Sequence, residues 1–211
     1  LLVKCVMFLE VFSVNTERAQ ISENILKPIV FGLTGKNASG KGTVAEILKK
    51  KDFIYHSLSD SLRDELNSLK KEETRENLIE IGNKLREKGG PGVLADKLLP
   101  KLNSDSNHIV DSIRNPFEVI SLRKGTLFGS FILISVDANV RLRYDRLRSR
   151  GRIGDTDSWE KFVEPERKEE NNDDPNKQQL SKTMEMADHI IDNSGTIGEL
   201  EAQINRIFSR L

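Results

Sequence analysis

A three-layer α/β/α domain built on a central parallel five-stranded sheet is the fold class that this sequence predicts, and three features predict it. Short apolar runs at 28–33, 53–56, 108–110, 130–136 and 187–191 alternate with helical patterns. Strands separated by helices pair in parallel and are covered on both faces. The first run opens into Gly35-x4-Gly40-Lys41 ahead of a helix, the setting in which backbone N–H groups converge on an anion. Two further helices carry strong start signals, Asn115-Pro116-x-Glu118 and Thr196-x-x-Glu199, which place strand-to-helix turns.

Taken in order, residues 1–27 are expected to be an N-terminal extension to a domain spanning 28–211. Leu1 to Phe12 is apolar but broken by Lys4 and Glu10, too short for a membrane span and without the basic start of a secretion signal. Pro28 to Leu33 reads as a buried strand, and Val44, Ile47 and Leu48 recur at helical spacing after the loop. Residues of about 58–105 form a helical insertion, and Val140, Tyr144 and Leu147 mark the buried side of the helix after the fourth strand. The polar tract Glu164 to Gln179 follows, and Leu200, Ile204, Ile207 and Phe208 line the final helix.

With 211 residues, 36% of them hydrophobic and 31% charged, the chain is sized for one domain with a full core. Lys plus Arg and Asp plus Glu both number 33, so no overall field draws it to nucleic acid or to an acidic membrane surface. Any anion site must therefore be local. One cysteine, Cys5, excludes an internal disulfide and a cysteine-based zinc site, and points to a reducing compartment with the cytoplasm as the expected location. A monomer or homodimer is expected.

The loop itself carries the chemistry. Gly35, Lys36, Asn37, Ala38, Ser39, Gly40, Lys41, Gly42, Thr43 and Val44 make a phosphate-binding loop of the P-loop NTPase fold, because residues without bulk let the backbone approach phosphate oxygens and the helix start adds a positive end. Lys41 supplies a mobile charge for β- and γ-phosphates. Gly42 stands where Ser or Thr is usual, and Thr43 comes one residue later.

In an open parallel sheet ligands sit at the carboxyl ends of the strands, and polar groups follow three of them. After the second strand come Ser59, Asp60 and Arg63; a guanidinium suits a phosphate, though Arg63 also reads as a solvated residue paired with Asp60 or Glu65. After the third, Asp111 is placed to orient Mg²⁺ and Arg114 to bind an acceptor phosphate, against a plainer reading as turn residue and surface partner. After the fourth, six arginines fall within twelve residues, Arg141 to Arg152. Neutral net charge and the lack of interleaved aromatics argue against a nucleic-acid patch.

Gly40-Lys-Gly-Thr43 resembles the adenylate kinase branch of the P-loop kinases, and Gly32-Leu-Thr-Gly35 the opening of dephospho-CoA kinases. The segment from Ser57 to Arg63 is similar in spacing to the one by which nucleoside monophosphate kinases hold their acceptor phosphate. Thr74 to Arg86 with Asp111-Ser-Ile-Arg-Asn-Pro-x-Glu118 looks like the deoxynucleoside monophosphate and phosphomevalonate kinase branch, and Ala187 to Thr196 like dephospho-CoA kinase, where the loop at Asn193 lies near the adenine. The whole also resembles the P-loop region joined to some deoxycytidylate deaminases, but no His-x-Glu or Pro-Cys-x-x-Cys is present.

From Lys27 onward these resemblances imply a kinase using ATP and Mg²⁺. Gly35 to Thr43 would cradle the donor, Thr43 and Asp111 would support the metal, and Ser59, Arg63 and Arg114 would hold the acceptor. Asp60 would orient the attacking oxygen, and Arg146 and Arg150 would serve the transferring group from a lid of about 150–180. The implied acceptor is a (deoxy)nucleoside monophosphate, with dephospho-CoA and phosphomevalonate as alternatives. A non-catalytic regulatory module is the competing class.

Overall fold

The computed structural model describes residues 27–151, 158–170 and 173–211. The N-terminal extension therefore lies outside the described residues but for Lys27, as do the lid positions 152–157 and 171–172. The elements run β1 (Ile29–Thr34), α1 (Lys41–Lys49), β2 (Ile54–Ser57), α2 (Asp60–Ser68), α3 (Arg75–Gly89), α4 (Val93–Leu98), β3 (His108–Ile113), α5 (Pro116–Gly125), β4 (Ser130–Asp137), α6 (Val140–Arg150), α7 (Trp159–Glu170), α8 (Leu180–Glu185), β5 (His189–Asp192) and α9 (Ile197–Phe208).

All five strands are parallel, in the order β2-β3-β1-β4-β5, which is the predicted three-layer α/β/α architecture. β1 lies at the centre, and the sheet is covered on both faces. Phe31 and Leu33 face a core shared with Val44 and Leu48 of α1 and Leu200 and Ile204 of α9. Val30 faces the opposite core, with Leu62, Ile81 and Leu94 from α2, α3 and α4 and Val119 and Leu122 from α5. Phe31 stacks on Phe53 at 5.3 Å and meets Phe208 edge-on at 5.5 Å, tying the end of α9 to the centre of the sheet.

Both predicted caps form as reciprocal capping boxes, Asn115 with Glu118 and Thr196 with Glu199. Two sequence expectations change. Val140 is exposed rather than buried, because it is the first residue of α6 and precedes the packed turn; Arg143 takes the inward position, at 2% exposure. β3 continues through Asp111 to Ile113 instead of stopping at 110. Its pairing with β1 shifts: Gly32 faces Val110 but Thr34 faces Ile113, so β3 carries one extra residue.

The end of the segment expected to act as a lid is bonded to the loop after β3. Asn115 Nδ2 donates to the carbonyls of Pro175 and Lys177 at 2.7 and 2.8 Å, and Gln179 N–H donates to Arg114 O at 3.0 Å. Asn115 thus caps α5 and anchors residues 175 and 177 with one side chain. Asn115→Ala is expected to lower stability by about 1–3 kcal/mol, as a lost cap and two lost side-chain bonds to carbonyls together imply. It should also speed amide exchange at 177–183. Thr196→Ala, a solvent-exposed cap, should cost only about 1 kcal/mol and leave exchange at 177–183 unchanged; equal behaviour of the two variants in denaturant titration and exchange would contradict the anchoring role.

Candidate active site

The phosphate loop is shaped by backbone conformations that few residues tolerate. Gly35 sits at φ +141°, where a Cβ would lie 2.0 Å from Val136 O, and Gly40 at φ +96°, where a Cβ would strike Asn193 Nδ2 at 1.9 Å. Ala38 is left-handed at φ +56° and packs against the cluster of Tyr144, Leu147 and Phe162 beneath α6 and α7. Asn193, just after β5, donates from Nδ2 to Ser39 O at 2.9 Å. It thereby fixes the far strand end to the loop.

Lys41 opens α1, and its ammonium turns into the loop, donating to Gly35 O and Lys36 O at 2.8 and 3.0 Å. Burial lowers its pKa from 10.5 to about 8, and Arg114, Arg143 and Arg150 push the same way while Asp111 opposes them. The loop thus faces one carboxylate and several cations, an arrangement that a polyanion would complete. Thr43 is exposed, whereas the Val44 side chain is in the core and its N–H goes to Gly40 O at 3.2 Å.

Asp111 stands where the extra residue of β3 is inserted. Its Oδ2 accepts from the Tyr55 hydroxyl at 3.0 Å, and its Oδ1 from the N–H of Ser112, which is left-handed at φ +67°. Burial, and next the Asp111 charge, raise the Tyr55 phenol well above its usual range, so it stays a donor. Sequence reasoning missed Tyr55 because no local pattern links it to a residue 56 positions away.

The arginine-rich helix divides by function. Arg143 is buried and donates to Ala138 O, to Asn37 O and to Glu166 of α7. Arg150 Nη2 donates to Asn37 Oδ1 at 3.2 Å. Arg146 Nη2 donates to Asn193 O at 2.9 Å, while its buried Nη1 has no hydrogen-bond partner among the described residues. Arg141 and Arg148 lie outward over Tyr144, and Arg152 is outside the described residues.

Beside the loop lies a cavity of about 80 Å³, lined among others by Ser59, Leu62, Arg75, Arg86, Ser112 and Arg114. Arg114 is common to this cavity and to the surroundings of Lys41. Asp60 and Arg63 are not among its lining residues. Arg63 is held by Asp60 at 2.9 Å and by Glu73 at 2.7 Å, on the exposed side of α2. Arg75, Arg86 and Gln178, which do line the cavity, were not singled out as site residues from the sequence.

A family model described as "AAA domain" (AAA_18) matches residues 32–174, and a UPF0200 protein of Pyrococcus furiosus is 32% identical over 85% of this chain and 95% of its own. The chain belongs to the AAA domain family and to the UPF0200 proteins. A UPF0200 protein of Hyperthermus butylicus is similar at 30% identity, over 87% of this chain and 95% of its own. Solved structures similar to this AAA domain protein include TT1252 of Thermus thermophilus, at TM-score 0.56 and 20% identity, covering 87% and 98% of the two chains. A gluconokinase of Sinorhizobium meliloti matches at TM-score 0.50 and 14% identity, over 87% and 98%. These likenesses show a P-loop kinase-like fold. Among the described residues no helix is long and apolar enough to cross a membrane.

The Lys41 pKa gives a signed prediction. Because the folded value of about 8 is below 10.5, the unfolded chain holds more protons between those limits, and stability of the ligand-free protein rises with pH through that window. Nucleotide binding follows the opposite slope, since polyphosphate favours the charged ammonium. ATP affinity should fall as pH rises above 8, by up to about tenfold per unit. Calorimetry at pH 8 in buffers of differing ionisation enthalpy should detect uptake of roughly half a proton; binding without proton uptake would refute this electrostatic picture of the loop.

Proposed function

We propose that this protein transfers the γ-phosphoryl group of ATP, with Mg²⁺, to a phosphorylated small molecule, first of all a (deoxy)nucleoside monophosphate. The observation that carries the proposal is the position of Arg114, which lines the cavity and also acts on the Lys41 charge. A donor phosphate on the loop and an acceptor group in the cavity would share that guanidinium. Phosphoryl transfer needs this: charge spreads over the equatorial oxygens between donor and acceptor, and catalysis is mostly positioning and charge neutralisation.

Gly35 to Thr43 would cradle the donor, with Lys41 leaving the carbonyls of Gly35 and Lys36 to bridge β- and γ-oxygens. Asp111 and the Thr43 hydroxyl are hard oxygen donors of the kind Mg²⁺ takes, and no group of three or more His, Cys, Asp or Glu suited to a metal occurs among the described residues. That set fits an ion brought by the nucleotide, whose phosphates and waters fill most of its shell. Asn193 would flank the adenine side; Arg146, expected with Arg150 at the transferring group, is bonded to Asn193 O and would flank the adenine with it, leaving Arg150 to meet the transferring group. On the acceptor side, Ser59 and Arg114, which line the cavity, would make the contacts. Arg63 and Asp60 would join them by exchanging their present partners. In this reading α2 to α4 form the acceptor-binding insertion and the segment from about 150 to 180 the lid.

Coupled ADP release against a panel of monophosphates, dephospho-CoA and phosphomevalonate tests the proposal. ATP binding without turnover on any acceptor would instead favour a regulatory module. With the best acceptor, Lys41→Ala should lose at least about 10²-fold in kcat. Arg114→Ala should raise the acceptor KM about ten- to a hundredfold with little change for ATP. Arg150→Ala should lower kcat with modest KM effects, because a charge meeting the transition state acts there alone. If all three variants change only ATP affinity, the assignment of donor and acceptor sides is wrong.

A further inference from the structure

Two residues that line the cavity each carry a buried polar atom without a hydrogen-bond partner among the described residues. Arg86 is 2% exposed, and its Nε and Nη2 both donate to Glu118 Oε1, at 3.2 and 2.8 Å. Its Nη1 has no hydrogen-bond partner among the described residues. Gln178 lines the same cavity, and its buried Oε1 is likewise unpartnered among the described residues. Folded chains rarely leave a buried donor and a buried acceptor unpaired, and each such group calls for an explanation.

Charge indicates what would pair them. Glu118 is fully buried and compensates the Arg86 guanidinium, so Arg86 presents a directed N–H rather than net positive charge. An anion placed there would face the Glu118 carboxylate behind the guanidinium. An uncharged group that accepts from Nη1 and donates to Oε1 satisfies both atoms. The anionic part of the acceptor belongs at Arg114, the cavity residue whose charge reaches Lys41. Arg86, already compensated by Glu118, is left for the uncharged end of the acceptor. At about 80 Å³ the cavity holds a compact group such as a single ring, between apolar walls that include Leu62 and Leu78.

We infer that Arg86 and Gln178 form a subsite for an uncharged hydrogen-bonding group of the acceptor, remote from its phosphate: in a nucleoside monophosphate, the edge of a pyrimidine base. This rests on the acceptor lying in the cavity, as proposed above. The sugar and phosphate then extend outward toward Arg114 and Lys41.

Calorimetric titration of CMP, UMP, AMP, ribose 5-phosphate and phosphoglycolate, with a non-hydrolysable ATP analogue present, tests the subsite without requiring turnover. A pyrimidine nucleotide is expected to bind about 10²-fold more tightly than ribose 5-phosphate, which lacks the base. Gln178→Leu leaves the Arg86–Glu118 pair intact and should weaken nucleotide binding at least about tenfold more than it weakens ribose 5-phosphate. Arg86→Lys keeps a charge against Glu118 but lacks Nη1, and should show the same selective loss; if it fails to fold, Gln178→Leu alone decides. Equal losses for both ligands, no discrimination in the wild type, or tighter binding of the small dianion phosphoglycolate than of any nucleotide would overturn the subsite. ADP release with a non-nucleotide acceptor would overturn it and leave phosphoryl transfer standing, whereas absence of ADP release with every acceptor would count against phosphoryl transfer while the binding pattern still judged the subsite.

Discussion

An ammonium placed among guanidiniums is repelled by them, and the geometry around Lys41 exists against that repulsion. Burial depresses its pKa most, Arg114, Arg143 and Arg150 add to that, and Asp111 alone among the named charges opposes them. Two of these cations are held by side-chain bonds and the third by its backbone. Arg143 is fixed by two backbone carbonyls and Glu166, and Arg150 by the Asn37 side chain. The Arg114 backbone is held on both sides, its N–H by Glu118 Oε2 at 2.9 Å and its carbonyl by Gln179. Lys41 turns to the nearest carbonyls, and an anion on the loop would offset the mutual repulsion of the cations by attracting each of them.

Holding so many donors toward one point requires backbone that regular strands and helices do not supply. Gly35, Ala38, Gly40 and Ser112 all lie at positive φ, and all four border the loop or Asp111. Ser112 is the informative member, because a β-hydroxyl residue there is strained where a glycine would not be. It follows from the extra residue in β3, which re-aims Asp111 at the end of the strand. The strain is kept where the strand ends must diverge from the sheet to meet a ligand.

What was legible in the sequence is what local pattern determines. The five strands, the phosphate loop and both capping boxes depend on neighbours within a few residues, and they formed where the pattern put them. Asp111 and Arg114 were legible through a rule about strand ends. The remainder depends on tertiary placement. The extra residue in β3 is a matter of register between strands 79 residues apart. The Arg86–Glu118 pair spans 32 positions, and nothing near either residue marks it as buried. Arg143 and its five neighbouring arginines look alike in one dimension; only the turn of α6 over the loop decides which is inside. For Arg63, pairing with Asp60 was foreseeable at helical spacing, but Glu73 arrives from beyond the end of α2.

The donor and acceptor sides also differ in how firmly they are built. On the proposed donor side the bonds are buried: Asn193 to Ser39 and Arg143 to Glu166. Breaking one partner of a buried ion pair costs several kcal/mol, about 3–5 in typical cases. On the acceptor side, the polar contacts of α2 are exposed: Arg63 pairs with Asp60 within the helix and with Glu73 beyond its end, and each exposed pair contributes about 0–1 kcal/mol. Such contacts exchange partners at little cost. If the acceptor occupies the cavity as proposed, it would meet a firmly held side at Ser112, Arg114 and Gln178 and a more yielding polar face of α2, so adaptation to it would fall to α2 while the geometry at Lys41, Asp111 and Arg114 is preserved.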